Sequence, residues 1–476
     1  MTQNDELPSK TFCALPWMHL STRPNGHMRV CCTANASGVA VNAESQNKSI
    51  SDAGIVKKSN GMPANLNNTS LSEAWNNDYM KNIRKQMLNG EKPISCIKCF
   101  KEEDAGHRSK RQWETAKWVK ELGIDDVLNN TKEDGSVDPK IRYIDLRLGS
   151  KCQLACVMCS PNDSSGWIKE HNDIYPSLKN TTLKESMTWE KTTGKLKSVG
   201  GSYNWHKNNP TFWNDLYKHI PTLKQLYWAG GEPLIMEEHY DVLEKVIADG
   251  YAGQIELRYN SNGLEWRDDL FDLWKHFRQV IFHFSIDDIG DRLHYIRYPA
   301  PWNQIEQQIK ALDDYPHDNL VLTTAWTGIA LNLFYLPEFI KWKLNSNFKK
   351  LNSWPNGAGL WSCHLAYWPP QLNIKALPIW FKAEIRQKFK KDFFPWLEKN
   401  WQLSTGVIEQ GITYEQWRNS EYGIKRFEGL LGFMDAEDWS VRLPEMAEWC
   451  YTVADHRKLD FNEIFPDLDW LEWYKK

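Results

Sequence analysis

A strand-like run, residues 141–148, leads into three cysteines, Cys152, Cys156 and Cys159, spaced CxxxCxxC. With 10 cysteines in 476 residues, that spacing arises by chance in roughly four chains of a thousand. A structural zinc or iron-sulfur site takes four protein ligands. Three thiolates instead fill three corners of a four-iron four-sulfur cluster and leave one iron open for chemistry. The chain therefore has to fold so that a strand end presents a loop of three thiolates.

Further strand-like runs follow the triplet, and each ends in residues suited to a ligand. Residues 226–228 run into Ala229, Gly230, Gly231, Glu232 and Pro233, where two glycines permit close backbone approach and a carboxylate suits an ammonium group. Residues 255–263 end in Asn262-Gly263, residues 280–287 end in Ser285-Ile286-Asp287 with Arg297 beyond, and residues 320–324 lead to Asn332. A sixth strand is expected within residues 359–367. Singly, each is as well read as a turn or a helix cap. Together, and in this order, they resemble the radical S-adenosylmethionine (radical SAM) enzymes.

That resemblance implies an α/β fold with a partial parallel (β/α)6 barrel over residues 139–378. It implies a [4Fe-4S] cluster on Cys152, Cys156 and Cys159, whose open iron binds S-adenosyl-L-methionine. Gly230, Gly231 and Glu232 would hold the methionine ammonium, and Ser285 and Arg297 its carboxylate. Asp287 would touch the ribose, Asn332 would lie near the adenosyl part, and Asn262 belongs to the same cofactor-binding set. Met158 stands where the family often has an aromatic residue. These positions are C-terminal strand ends, where parallel barrels place their chemistry.

Upstream lie Cys13, the pair Cys31-Cys32, and Cys96 with Cys99. Residues 17–22 and 28–30 flank the turn signal Pro24-Asn25-Gly26 and read as a hairpin that brings Cys13 and Cys31 together. Cys96 and Cys99 form a CxxC able to reach one metal centre. The pattern resembles the half-size auxiliary-cluster module called Twitch, a relative of SPASM, which usually follows the barrel and here precedes it. Three readings stand: an auxiliary [4Fe-4S] cluster on Cys13, Cys31, Cys96 and Cys99, a structural zinc site on the same residues, or unliganded core cysteines. Cys32, Cys363 and Cys450 are read as packing residues.

The length suits three regions: a Cys-rich auxiliary domain over 1–138, the barrel over 139–378 with an insertion at 160–223, and a helical extension over 379–476. The insertion, with Trp167, Trp189, Trp205 and Trp213, would form a lid or substrate wall. Residues 34–69 read as a long loop, and residues 71–88 as one helix. The extension is rich in the chain's 25 tryptophans, read as packing on the barrel's flank rather than as a base-stacking platform. Residues 101–111 interleave Lys101, His107, Arg108, Lys110 and Arg111 with acids, the pattern of a solvated helix face.

A net charge of -3 argues against a phosphate-binding surface, and no RNA-binding module is evident. No run approaches the ~18 apolar residues of a membrane span. Ten cysteines without a leader-like start suggest a reducing cytoplasm. The leading expectation is a radical SAM oxidoreductase acting on a peptide, protein or small molecule, reduced by a donor such as flavodoxin or ferredoxin. The alternatives are a non-catalytic iron-sulfur or zinc scaffold, and a radical SAM enzyme that modifies nucleic acid.

Overall fold

The apolar runs of the sequence become neighbouring strands of one sheet. A computed structural model describes residues 7–34, 54–104, 108–186, 189–190, 195–196, 203–207, 209–352, 362–403, 411, 413–420 and 423–475. Its strands are β1 (His19–Thr22), β2 (Met28–Arg29), β3 (Tyr143–Leu146), β4 (Trp189–Glu190), β5 (Lys195–Leu196), β6 (Gln225–Trp228), β7 (Glu256–Ser261), β8 (Gln279–Ser285), β9 (Leu320–Gly328) and β10 (Ser362–Leu365). Eight of them form a sheet in the order β10-β9-β8-β7-β6-β3-β1-β2, while β4 and β5 make a separate ribbon. Every pairing from β10 to β1 is parallel, and only β1 with β2 is antiparallel. The protein is thus a mixed α/β fold built on a mostly parallel sheet.

Parallel neighbours need crossover connections, and the chain supplies helices for them. Glu237–Ala248, Trp302–Asp313 and Leu336–Asn345 each bury a stripe at helical spacing, such as Ile305, Ile309 and Leu312. Ile144, Leu226, Leu257, Val280 and Leu320 stand in register across five strands, and all are buried. Side chains alternate along a strand, so the flanking registers show the opposite face. That face is polar: Tyr143, Gln225, Glu256 and Gln279 form one row, and Asp145, Tyr227 and Arg258 the next. The helix Lys110–Leu122 covers it, its Lys117 Nζ lying 2.7 Å from Gln225 Oε1 and 3.0 Å from Glu256 Oε1.

The hairpin expected near the N-terminus is present, with Ser21 opposite Arg29 and Thr22 opposite Met28. Its first strand is shorter than expected because residues Leu15–Met18 form a helical turn. β1 also pairs in parallel with β3, and Ser21 Oγ donates to Asp145 Oδ2 at 2.9 Å. The Cys-bearing hairpin is therefore an edge of the main sheet. Of the loop expected over 34–69, residues 35–53 lie outside the described residues. The remainder is pinned to the hairpin by bridges such as Arg29 with Ile55 and His27 with Asn65.

The single helix expected over 71–88 is two, Leu71–Trp75 and Asp78–Leu88. Asn77 breaks it, because its side chain accepts from the backbone N–H of Met80 and caps the second helix. Strand and crossover positions otherwise follow the apolar runs, including β10 within the interval expected for a sixth strand. In the insertion, Trp167 and Trp205 are fully buried, and Trp205 Nε1 donates to Pro24 O at 3.1 Å. Those two rings pack the interior rather than wall a mouth, and the Trp189 side chain lies outside the described residues. In the extension, Trp417, Trp439, Trp449 and Trp470 are buried, while Trp380 and Trp473 are exposed. In the 101–111 patch, Arg111 pairs with Glu103, and His107 lies outside the described residues. No helix among the described residues is long and apolar enough to cross a membrane.

Candidate functional site

The loop that follows β3 carries the cysteine triplet, and its backbone is fastened at several points. Ala155 N–H donates to Tyr298 O at 2.7 Å and Val157 N–H to Ile296 O at 2.8 Å. All ten cysteines are free thiols. Burial pushes the Cys152 thiol up to about 12, with Cys156 adding to the rise. Burial also raises Cys159, on which Asp163, Cys156 and Cys152 act in turn. The three thiols are thus electrostatic neighbours that stay protonated without a metal cation to draw out their protons.

The Gly-Gly-Glu turn after β6 sits against this loop. Gly231 has φ +59, and a Cβ there would lie 2.5 Å from Lys151 O; Gly230 has φ +77 and is packed on Arg147. The close approach that requires both glycines is therefore to the chain's own loop. Glu232 N–H donates to Lys151 O at 2.8 Å. The Glu232 carboxylate is buried and joins two strand ends: Oε1 accepts from Ser261 Oγ at 2.7 Å and Leu234 N–H at 3.1 Å, and Oε2 from Asn262 N–H at 2.7 Å. Burial outweighs these three donors and pushes its carboxyl up to about 7. Its charge acts on Cys152, and Asn262 Nδ2 lies 3.9 Å from Cys152 Sγ.

On the other side of the triplet stands Arg297, whose Nη1 is 3.9 Å from Cys156 Sγ. Its Nε lies 2.6 Å from Asp287 Oδ2. The other oxygen of Asp287 accepts from Thr327 N–H at 2.7 Å, so Asp287 anchors Arg297 and the end of β9. Asn332 braces the same corner: its amide group donates to Asp287 O at 3.0 Å and Thr327 O at 2.9 Å, and its oxygen accepts from Ile329 N–H. Ser285 is half-buried at the end of β8, with no hydrogen bond to its side chain among the described residues. Cys152, Cys156, Cys159, Glu232, Asn262 and Arg297 thus come together at the C-terminal strand ends. Asp287 and Asn332 act one layer behind them.

The N-terminal cysteines form a second group. Burial, then Cys96, raises the Cys13 thiol, and Cys99 adds to the rise. Burial and Cys99 push Cys96 up to about 12. Burial also raises Cys31, on which Cys32, Cys99, Cys96 and Cys13 act. No three cysteine, histidine, aspartate or glutamate side chains among the described residues are grouped as ligands of a single ion. Cysteines that bind separate irons of one cluster do not meet at one point, so either thiol group retains the donor chemistry of an iron-sulfur site.

Three further residues hold this loop, and nothing in the sequence ties them to it. Trp167 Nε1 donates to Cys156 O at 2.7 Å, Trp449 Nε1 to Val157 O at 3.3 Å, and Arg457 Nη2 to Ala155 O at 2.5 Å. The last two come from the C-terminal extension, some 300 positions from the loop, and no local pattern marks them. Set against models of known families and against curated proteins, the chain matches none of them.

Proposed function

We propose that the protein is a radical SAM enzyme, with Cys152, Cys156 and Cys159 as ligands of a [4Fe-4S] cluster. The observation that carries this reading is the grouping of three thiols with a buried carboxylate, Glu232, and a guanidinium, Arg297, at adjoining strand ends. When bound, the reduced cluster supplies the electron that splits S-adenosylmethionine into methionine and a 5′-deoxyadenosyl radical able to take hydrogen from substrate. The chain's own residues bind and orient. Glu232 Oε2 accepts one hydrogen bond, which leaves an acceptor site for the methionine ammonium. Arg297, held by Asp287, offers its remaining N–H groups to the carboxylate, and the free Ser285 hydroxyl stands beside β8's end to do the same.

The donor set of Cys13, Cys31, Cys96 and Cys99 supports an auxiliary [4Fe-4S] cluster, since four thiols, two buried and two partly so, match its four irons. Placed on the sheet edge beside β3, it would accept an electron from substrate or anchor it. The substrate class is a peptide, protein or small molecule, and a flavodoxin- or ferredoxin-type donor would supply electrons. The test is anaerobic reconstitution followed by reduction with dithionite and S-adenosylmethionine. Wild type should bind about eight irons per chain, four for each cluster, and release 5′-deoxyadenosine and methionine. Cys152, Cys156 and Cys159 changed together to Ala should halve the iron and end cleavage. A fully loaded, reducible wild type that binds no S-adenosylmethionine and releases no 5′-deoxyadenosine overturns the reading. Tight zinc with no remaining iron in the triple variant removes the auxiliary cluster alone.

A further inference from the structure

The extension reaches into the triplet loop through the last residue of one of its helices. Arg457 ends the helix Leu443–Arg457, after which the chain turns at Lys458 with φ 57. A cation is favoured there by the helix's own carbonyl end. Its side chain is fully buried, and four of its N–H groups are engaged. Nη1 donates to Tyr295 O at 2.8 Å and Nη2 to Ala155 O at 2.5 Å. Nε and Nη2 meet the Glu170 carboxylate at 2.6 and 3.2 Å. The guanidinium lies over Trp167 at 5.1 Å and over Tyr298 at 4.5 Å.

These contacts complete a pattern along the loop. The carbonyls of Ala155, Cys156 and Val157 are held by Arg457, Trp167 and Trp449 in succession. The N–H groups of Ala155 and Val157 are held by Tyr298 and Ile296. Three consecutive peptides inside CxxxCxxC are thus immobilised from outside the loop.

We propose that Arg457, with Glu170 as its counter-charge, is a positioning residue that fixes the thiolate loop and sets the reduction potential of the cluster the loop holds. This rests on the cluster reading of the triplet. A buried cation beside the loop favours the reduced, more negative cluster, and the Glu170 carboxylate opposes it. Removing one charge or the other should therefore move the potential in opposite directions, which a merely structural role for the pair would not do.

The test uses the full chain, reconstituted anaerobically. Redox titration follows the cluster signal that changes on addition of S-adenosylmethionine. In Arg457→Gln the potential should fall, cutting the reduced-to-oxidised ratio at fixed poise roughly tenfold, about 59 mV for one electron. In Glu170→Gln it should rise, and Arg457→Lys should return toward wild type. Wild-type potentials in Arg457→Gln and Glu170→Gln at full iron content overturn the proposal, as do shifts of the same sign. Should Arg457→Gln fail to fold, Glu170→Gln decides by the sign of its shift. A wild type that binds no iron at the triplet instead removes the reading beneath it.

Discussion

Glu232 shows what a buried carboxylate does when three donors serve it and burial still prevails. Its carboxyl is pushed up to about 7, so the neutral form is favoured in the folded protein and the charged form in the unfolded chain. The stability this contributes is full below the ordinary carboxyl range and is lost as pH rises through about 7, on the order of 3 kcal/mol. Denaturant titrations from pH 5 to 8 should show wild type losing stability relative to its own value at pH 5, and Glu232→Gln with that slope flattened. Cofactor binding should run the other way. If the ammonium pairs with ionised Glu232, affinity rises with pH to a plateau above about 7. Glu232→Gln should weaken binding by roughly 10- to 150-fold, from ~1.5–3 kcal/mol per charged hydrogen bond, and lose that pH dependence. Equilibrium dialysis with labelled S-adenosylmethionine at several pH values checks both. The sequence pointed to Glu232 through its Gly-Gly-Glu turn. It did not reveal that Asp287 and Asn332 are engaged by Arg297 and backbone groups, because those contacts are made across strand ends and leave no mark on either residue's neighbours in the chain.

Among the elements, strands were legible wherever an apolar run met a polar turn, as at β6, β7 and β8. The helix break at Asn77 was not, since apolar spacing continues across it while one capping hydrogen bond ends one helix and starts the next. The turn after β6 is the element on which the site depends most. An alanine at Gly231 would adopt a left-handed conformation costing about 1–2 kcal/mol, and its Cβ would meet Lys151 O at 2.5 Å. Because Lys151 precedes the first cysteine, Gly231→Ala should lower both the melting temperature and the iron retained at the triplet. Gly253, with open space around a Cβ, is the control: Gly253→Ala should stay within about 0.5 kcal/mol of wild type. Equal iron in the two variants would separate the turn from the proposed metal site. The tail's contribution lay beyond sequence reading because Arg457 and Ala155 are 302 positions apart, and periodicity reports a helix's buried side but not what it is buried against.

For the molecule as a whole, the β1–β3 ladder makes the N-terminal hairpin and the main sheet one body. A fragment ending at residue 138 lacks β3, so hydrogen exchange should find the β1 amides unprotected there, and protected in the full chain, where Leu20 faces Ile144. Protection of β1 in the fragment would mean the hairpin folds without the sheet. The same ladder orders events during synthesis. β1 leaves the ribosome about 120 residues ahead of its partner, a delay on the order of ten seconds at ~5–20 residues per second. Through that interval Cys13 and Cys31 belong to no finished sheet, and the whole CxxC segment emerges before β3 does. The N-terminal thiols are therefore made as a set before β3 exists, and the triplet loop, which needs both the sheet and the helix Leu443–Arg457, takes its final form after them.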